Sequence, residues 1–292
     1  MAKNNTANIV GTAGTPPTGL ITYLTAAAYL DAEGAPRDGR RSCIVEPFTS
    51  ATIVDSLKGL FVPQEAIGEQ YRKGLMGRDS AGMNWKMDQN VVSQTFGSYS
   101  TAVLSCNTST ATGFLTSGWA STSTIALSAT TATASLQQGD VITIANVYAV
   151  NPQNRQAYGS NKLRNFVVTS AVTVATSGTT SVTVSPAVIT AGQFQNVSVT
   201  SPGASTVTPF NNTGTVSPQN IIMHRNAFCL AVADLELPEG VHFAGRASDK
   251  EIGLSMRVVR QYTINNDSIP TRLDVLYGWA PLYPELACRV AA

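Results

Sequence analysis

The 292-residue sequence predicts an α+β protein rich in β-structure. Three observations carry that expectation. Between residues 98 and 217 charge almost vanishes: Asp140, Arg155, Lys162 and Arg164 are the only charged side chains, and roughly a third of the positions are Ser or Thr, well above average usage. Before that stretch apolar residues recur at helical spacing, and after it they alternate at strand spacing. Within it, β-branched runs punctuated by Gly, Pro and Asn read as a small β module inserted between two charged, mixed flanks.

At 43% hydrophobic composition the chain can bury a substantial core, and its length suits one large or two moderate domains. A formal net charge of +1 gives no whole-chain field for nucleic acid or an anionic membrane, so any polyanion must be met locally. No apolar run approaches the roughly 18 residues of a membrane span. The first residues also lack the basic start and apolar centre of a secretory signal. The expectation is a soluble protein made in the cytosol. Cys43, Cys106, Cys229 and Cys288 are widely scattered, without zinc or redox spacing, and read as free, mostly buried thiols.

Taken in order, Gly11 and Gly14 have no Lys-Ser or Lys-Thr behind them, so a phosphate loop is unsupported. Leu20, Tyr23, Leu24, Ala27 and Leu30 then predict a helix of about four to five turns, with Thr15 as N-cap, Pro16 in the first turn and Gly34 past its end. Asp31 and Glu33 read as its solvated end. A buried strand is expected at Ser42 to Val45. A second helix follows, capped by Thr49 or Ser50, with Ile53, Val54, Leu57, Leu60 and Phe61 on one face. Pro63 opens a third, with Ile67 and Tyr71 inward, broken by Gly74 and Gly77. Trp85, Met87, Val91 and Val92 are expected to pack.

The module's clearest strands are Thr124 to Leu127, Val141 to Val150, Asn165 to Ala175 and Ser181 to Val184, with turns at Gly139-Asp140 and Ser177-Gly178. Short antiparallel strands at this spacing predict a barrel or a sandwich of about a hundred residues. Beyond Asn220, Phe228 to Leu237 alternates as a strand. A long antiparallel hairpin is then expected, with Ile252, Leu254, Met256, Val258, Tyr262 and Ile264 on one arm. Leu273, Val275, Tyr277 and Trp279 form the other, and Asn265 to Ser268 the turn. Burying such a row contributes roughly 1.5–3 kcal/mol per large side chain at most. Tyr277, Trp279 and Tyr283 suit either a core or a contact surface.

No pattern for chemistry emerges. Nucleophilic catalysis needs a histidine near a nucleophile, and only His224 and His242 exist, both read as structural or exposed. Asp234 with Glu236, and Asp249 with Glu251 beside Lys250 and Arg246, read as solvated or salt-bridging edges rather than acid–base pairs. Clustered metal ligands are absent, and no cofactor is implied. Arg37, Arg40 and Arg41 lie in one turn without interleaved aromatics, a weak nucleic-acid signal. The sequons at Asn4, Asn107, Asn196 and Asn211 matter only in a secreted protein. No catalytic, cofactor-binding or metal residue is therefore assigned, and the pattern favours a protein that works through shape and contact.

The flanks resemble a known family. The segments VDSLKGLF (Val54 to Phe61), EQYRKGLMG (Glu69 to Gly77), WKMDQNV (Trp85 to Val91), GDVITIANVYAVNP (Gly139 to Pro152) and AFCLAVADLELPEGV (Ala227 to Val241) are similar, in order, to the major coat proteins of tailed bacteriophages of the P22 type. So are ASDKEIGLSMRVVRQYTIN (Ala247 to Asn265) and RLDVLYGWAPLYPELACRV (Arg272 to Val290). The resemblance spans about Ile9 to Val290. It implies the Hong Kong 97-type capsid fold with an inserted β-barrel. The implied parts are an N-terminal segment and spine helix at 1–41, a first axial part at 42–99, the barrel at 100–218, and the axial return with peripheral strands at 219–292. It implies no enzyme but a virion subunit that self-assembles into pentamers and hexamers around double-stranded DNA. Scaffolding, portal and decoration proteins are further implied partners, and no membrane is. Family members usually carry an N-terminal arm and extended loop ahead of the spine helix, whereas the spine helix here begins close to Met1. The alternative is a β-rich surface or carbohydrate-binding module on a mixed scaffold.

Overall fold

The computed structural model describes residues 2–57, 81–99, 102–107, 114–159, 162–176, 178–199, 205–211, 214–249 and 253–292. They divide into two units, Met1–Ala227 with Tyr283–Ala292, and Phe228–Leu282. The chain opens with α1 (Ala2–Asn5), β1 (Ile9–Gly11), α2 (Leu20–Ala32), β2 (Arg41–Val45), α3 (Pro47–Leu57), β3 (Asn84–Met87) and β4 (Ser93–Thr95). Next come β5 (Val103–Cys106), β6 (Ser123–Thr130), β7 (Ala134–Leu136), β8 (Val141–Ala149), β9 (Leu163–Val168), β10 (Val172–Val174), β11 (Thr180–Ser185), β12 (Val197–Val199) and β13 (Ser205–Pro209). They are followed by β14 (Val216–His224), then β15 (Phe228–Ala233), β16 (Phe243–Asp249), β17 (Leu254–Arg260), β18 (Thr271–Asp274) and β19 (Leu276–Pro281), and finally β20 (Ala287–Ala291).

In the first unit, β1, β20, β14, β2 and β3 form a mixed sheet in that order. Its centre is apolar because Cys43, Val45, Ile222, Cys288 and Val290 are all buried. Helix α2 packs on β20 and β14, burying Tyr23, Ala26, Ala27 and Leu30, a single stripe at 3–4 residue spacing. The Tyr23 ring meets Trp85 at 5.0 Å between centroids. The helix starts later than Thr15 and Pro16 suggested and is 13 residues long. Thr15 bridges Thr12 instead, and the residue before a proline is biased toward extended backbone, so Pro16 and Pro17 delay the helix until extended Gly19. Leu24 lies outside the buried stripe and is exposed. Gly34, at φ +78°, ends the helix as expected.

The second helix begins at Pro47, so Thr49 and Ser50 are not its caps but buried residues of its first turn. Residues Leu60 and Phe61, and the helix expected from Pro63, lie outside the described residues. Trp85 packs as expected, whereas Met87 and Val92 are exposed.

The charge-poor middle is a sheet joined to itself. Strands β8, β13, β5, β6, β11 and β9 pair antiparallel in sequence around a cycle that returns to β8, and β12 adds beside β13 on the same strand. Of the two architectures left open by the sequence, the pairings are those of a closed sheet. A closed cycle leaves no free edge, and alternation then sends every second residue inward. Leu104, Ile125, Leu127, Ile142, Phe166 and Val184 meet in one buried cluster. The run expected as one strand from Asn165 to Ala175 is two, β9 and β10, and β10 pairs with β7 instead of continuing around the cycle.

In the second unit β15 pairs with β19, and β16, β17 and β18 form a separate three-stranded sheet. The hairpin between β17 and β18 exists, with Arg257 opposite Asp274. Its second arm is shorter than expected, because Leu276–Pro281 pairs with β15. The expected burial does not occur: Leu254, Met256, Ile264, Leu273, Tyr277 and Trp279 are exposed. Ile252 lies outside the described residues.

Candidate assembly surface and the joints behind it

The charged residues that are rare in the closed sheet turn out to be its attachment points. Arg164, on β9, forms an ion pair with Glu33 just past the end of α2, and both side chains are largely buried. Lys162 sits with its ammonium 3.1 Å from the centre of the Tyr29 ring, a cation–π contact. The Tyr158 hydroxyl donates to the Ala32 carbonyl. Tyr29, Glu33, Tyr158, Lys162 and Arg164 share a small cleft with room only for a water-sized molecule, far below a ligand pocket. Burial pushes Glu33 above the ordinary glutamate range, against the pull of Arg164 and Lys162. Burial also lowers Lys162. Glu33 is therefore not a solvated helix end. Asp31 is not either: it accepts from Arg37 and from buried Arg41 at 2.7 Å.

Asp140 makes the second joint. Fully buried, it accepts from the backbone N–H of Gly97 at 3.0 Å and of Gln137 at 2.8 Å, and from Gln94 Nε2 at 3.2 Å. Burial raises its carboxyl above the usual range although these donors and Arg289 oppose the shift. The fit is tight, since a Cβ on Gly97 would stand 1.9 Å from the Ser135 carbonyl oxygen. From the neighbouring sheet, Arg289 on β20 donates through Nη2 to the Gly139 carbonyl at 2.9 Å. Its Nε and Nη1 are buried without a bonding partner. Burial lowers this guanidinium to about 10, with Cys288 and Asp140 acting in the opposite direction.

These joints link residues up to 150 positions apart, so no local motif announces them. The usable signal was scarcity: in a stretch with four charged residues, Asp140, Lys162 and Arg164 are each engaged with α2, β4 or β20. Arg289 had no such signal, being one arginine in a charged flank.

The residues considered for chemistry do not converge. His224 is buried, with Nε2 3.2 Å from Asp38 Oδ1, while His242 is exposed. Asp234 pairs with Arg246 at 3.3 Å, and Glu236 is exposed. Asp249 ends exposed strand β16; Lys250 and Glu251 lie outside the described residues. Arg37 and Arg40 pair with Asp31 and Asp38, and Arg41 is buried against the Pro36 and Ala35 carbonyls. The turn is thus committed to internal ion pairs. Among the described residues, no three His, Cys, Asp or Glu side chains are grouped to hold a metal. The cysteines are free, with Cys229 half-buried and the other three buried. No described helix is long and apolar enough to cross a membrane.

What the molecule does present is surface. Residues 228–282 expose Ile264 to 83%, Leu273 to 64% and Trp279 to 58% of their full area. A chain with a rigidly jointed body and so much uncovered apolar side chain has the makings of a structural protein that works through contact. A family model for the P22 coat protein, gene protein 5, matches residues 22–289, and the chain belongs to that family. It is accordingly a major capsid protein of the tailed-phage kind. No match was found among curated proteins. The family match does not favour the carbohydrate-binding alternative.

Proposed function

We propose that copies of this chain assemble into an icosahedral shell around double-stranded DNA, through five- and six-membered rings of heterologous contacts, and that the chain catalyses no reaction. The fold is read as the Hong Kong 97 type. Helix α2 is its spine helix, 42–99 the first axial part, 100–218 an inserted β-barrel, and 219–292 the axial return and peripheral strands. The observation that carries this reading, beside the family match, is how the closed sheet joins the rest. Strands β4 and β14 are antiparallel neighbours, with Thr95 opposite Val216 and Ser93 opposite Pro218. The chain therefore leaves for the closed sheet and returns from it through adjacent strands, which is what an insertion into a pre-existing scaffold requires. Scaffolding, portal and decoration proteins are the further partners, and synthesis is in the host cytoplasm.

Individual contacts of ordinary size sum to a stable shell when repeated over many copies. Electron microscopy of particles containing the chain tests the reading. Closed shells with this chain at every lattice position are expected. Finding the chain only in a tail or fibre would overturn it.

A further inference from the structure

Gly139 lies where the closed sheet meets the N-terminal segment and β20, and the polar atoms around it do not balance. Three oxygens face it: a Cβ at this position would stand 3.0 Å from Gln94 Oε1, 3.0 Å from the Lys3 carbonyl oxygen and 3.3 Å from Asn4 Oδ1. Gln94 Oε1 and Asn4 Oδ1 are buried and accept from no protein donor. The Arg289 guanidinium reaches the same residue, holding the Gly139 carbonyl through Nη2 while Nε and Nη1 stay buried and unpaired. Two idle acceptors and two idle donors thus border one glycine. Turning the Gln94 amide does not relieve this. Its Nε2 donates to Asp140 Oδ1 at 3.2 Å, to the Gln138 carbonyl at 3.0 Å and to the Thr95 carbonyl at 3.1 Å. Reversal would set Oε1 against three acceptors, so the oxygen is held toward Gly139.

Buried polar atoms in native interiors find a partner in the protein or in ordered water, because leaving them bare is costly. Charge narrows what binds here. Arg289 and Asp140 are a buried cation and anion that already act on one another. An added anion would set two negative charges against one positive and would also meet the Gln94, Asn4 and Lys3 oxygens. A metal cation would face the guanidinium. A neutral molecule that both donates and accepts suits the set: water donates to Gln94 Oε1 and Asn4 Oδ1 and accepts from Arg289, the three hydrogen bonds typical of an internal water. Glycine at 139, with φ +92°, keeps the space before these oxygens clear of a side chain. We infer that Gln94, Asn4, Arg289 and Gly139 form an internal water-binding site, and that the bound water is a further fastening between the closed sheet, the N-terminal segment and β20.

A map of the full chain, in crystals or particles, at a resolution that shows ordered water tests this. A peak within hydrogen-bonding distance of Gln94 Oε1, Asn4 Oδ1 and an Arg289 nitrogen is expected. No peak there overturns the inference. So does an anomalous signal at that point in crystals soaked in bromide, which would make it an anion site. Asn4→Ala gives a second readout in thermal unfolding of the full chain. Losing an acceptor that holds the water should lower the midpoint by about 2 °C or more. If nothing is bound, the same change removes a buried unpaired oxygen, and the midpoint stays or rises. An unchanged or raised midpoint therefore overturns the inference.

Discussion

The closed sheet of residues 102–211 and the open sheets of residues 228–282 are both antiparallel and both alternate apolar with polar side chains, yet one buries its apolar half and the other exposes it. The difference lies in the edges. Strand β8 is paired along both sides, to β9 on one and to β13 and β12 on the other, so the sheet returns on itself and one side of the pleat has nowhere to go but inward. Among the described residues strand β15 pairs with β19 alone, so that sheet does not return on itself and its apolar side chains are left half-buried or exposed. Alternation therefore predicts a strand in both places and an interior in only one.

The comparison can be broken or sharpened by substitution, beginning with the largest effect. Phe166→Ala removes a fully buried ring from the closed sheet and should lower the unfolding free energy by about 3–5 kcal/mol in a denaturant titration. A loss under about 1 kcal/mol would mean the sheet is not packed as a core.

Arg164→Ala strands Glu33 in a buried site and should cost about 3–5 kcal/mol at pH 7. The sign of its pH dependence follows from Glu33, whose folded value lies above its ordinary one because of burial. Such a carboxyl stabilises the fold fully below its unfolded value and loses that contribution as pH rises through the folded value. The Arg164→Ala deficit should accordingly shrink in acid, where Glu33 is protonated. Glu33→Gln should track the native chain near pH 4 and equal or exceed it at pH 7, within about 1 kcal/mol. Thermal unfolding from pH 4 to 7 measures both, and a large neutral-pH loss from Glu33→Gln would show pairing to outweigh burial.

Asp140→Asn keeps an oxygen for the N–H groups of Gly97 and Gln137, which both donate to Oδ2, but puts an amide nitrogen where Oδ1 accepts from Gln94 Nε2, so that a buried donor there faces a donor. It should cost about 1–3 kcal/mol for the orphaned buried donor. Calorimetry of the full chain would detect this as a lowered midpoint. The smallest effect belongs to the open region. Leu273→Ala in the free subunit should change stability by about 0.5 kcal/mol or less, because an exposed side chain has little to lose. A core-sized loss there would erase the contrast with Phe166.

Much of the local structure was legible. The helix near Leu30, the strand at Ser42 to Val45, the strand from Val141 and the turn at Gly139, with φ +92°, all follow from spacing and backbone preference. Short strands such as Ala134–Leu136 and Val197–Val199 were not, since three residues carry no measurable period. Of the joints, Arg164 and Asp140 were visible only as charges out of place. Their partners Glu33 and Gly97 were invisible, because an ion pair across 131 positions leaves no trace in spacing.

The sequence by itself determined the charge-poor β module and its mixed flanks, because composition and periodicity are local properties. Tertiary structure alone decided that the module closes, that its few charges fasten it to α2, β4 and β20, and that the apolar rows after residue 228 stay uncovered. Each of these depends on which strands pair and what stands opposite a given face. Two apolar rows of equal strength bury or expose themselves according to whether their sheet finds a second edge, and no window of sequence contains that partner.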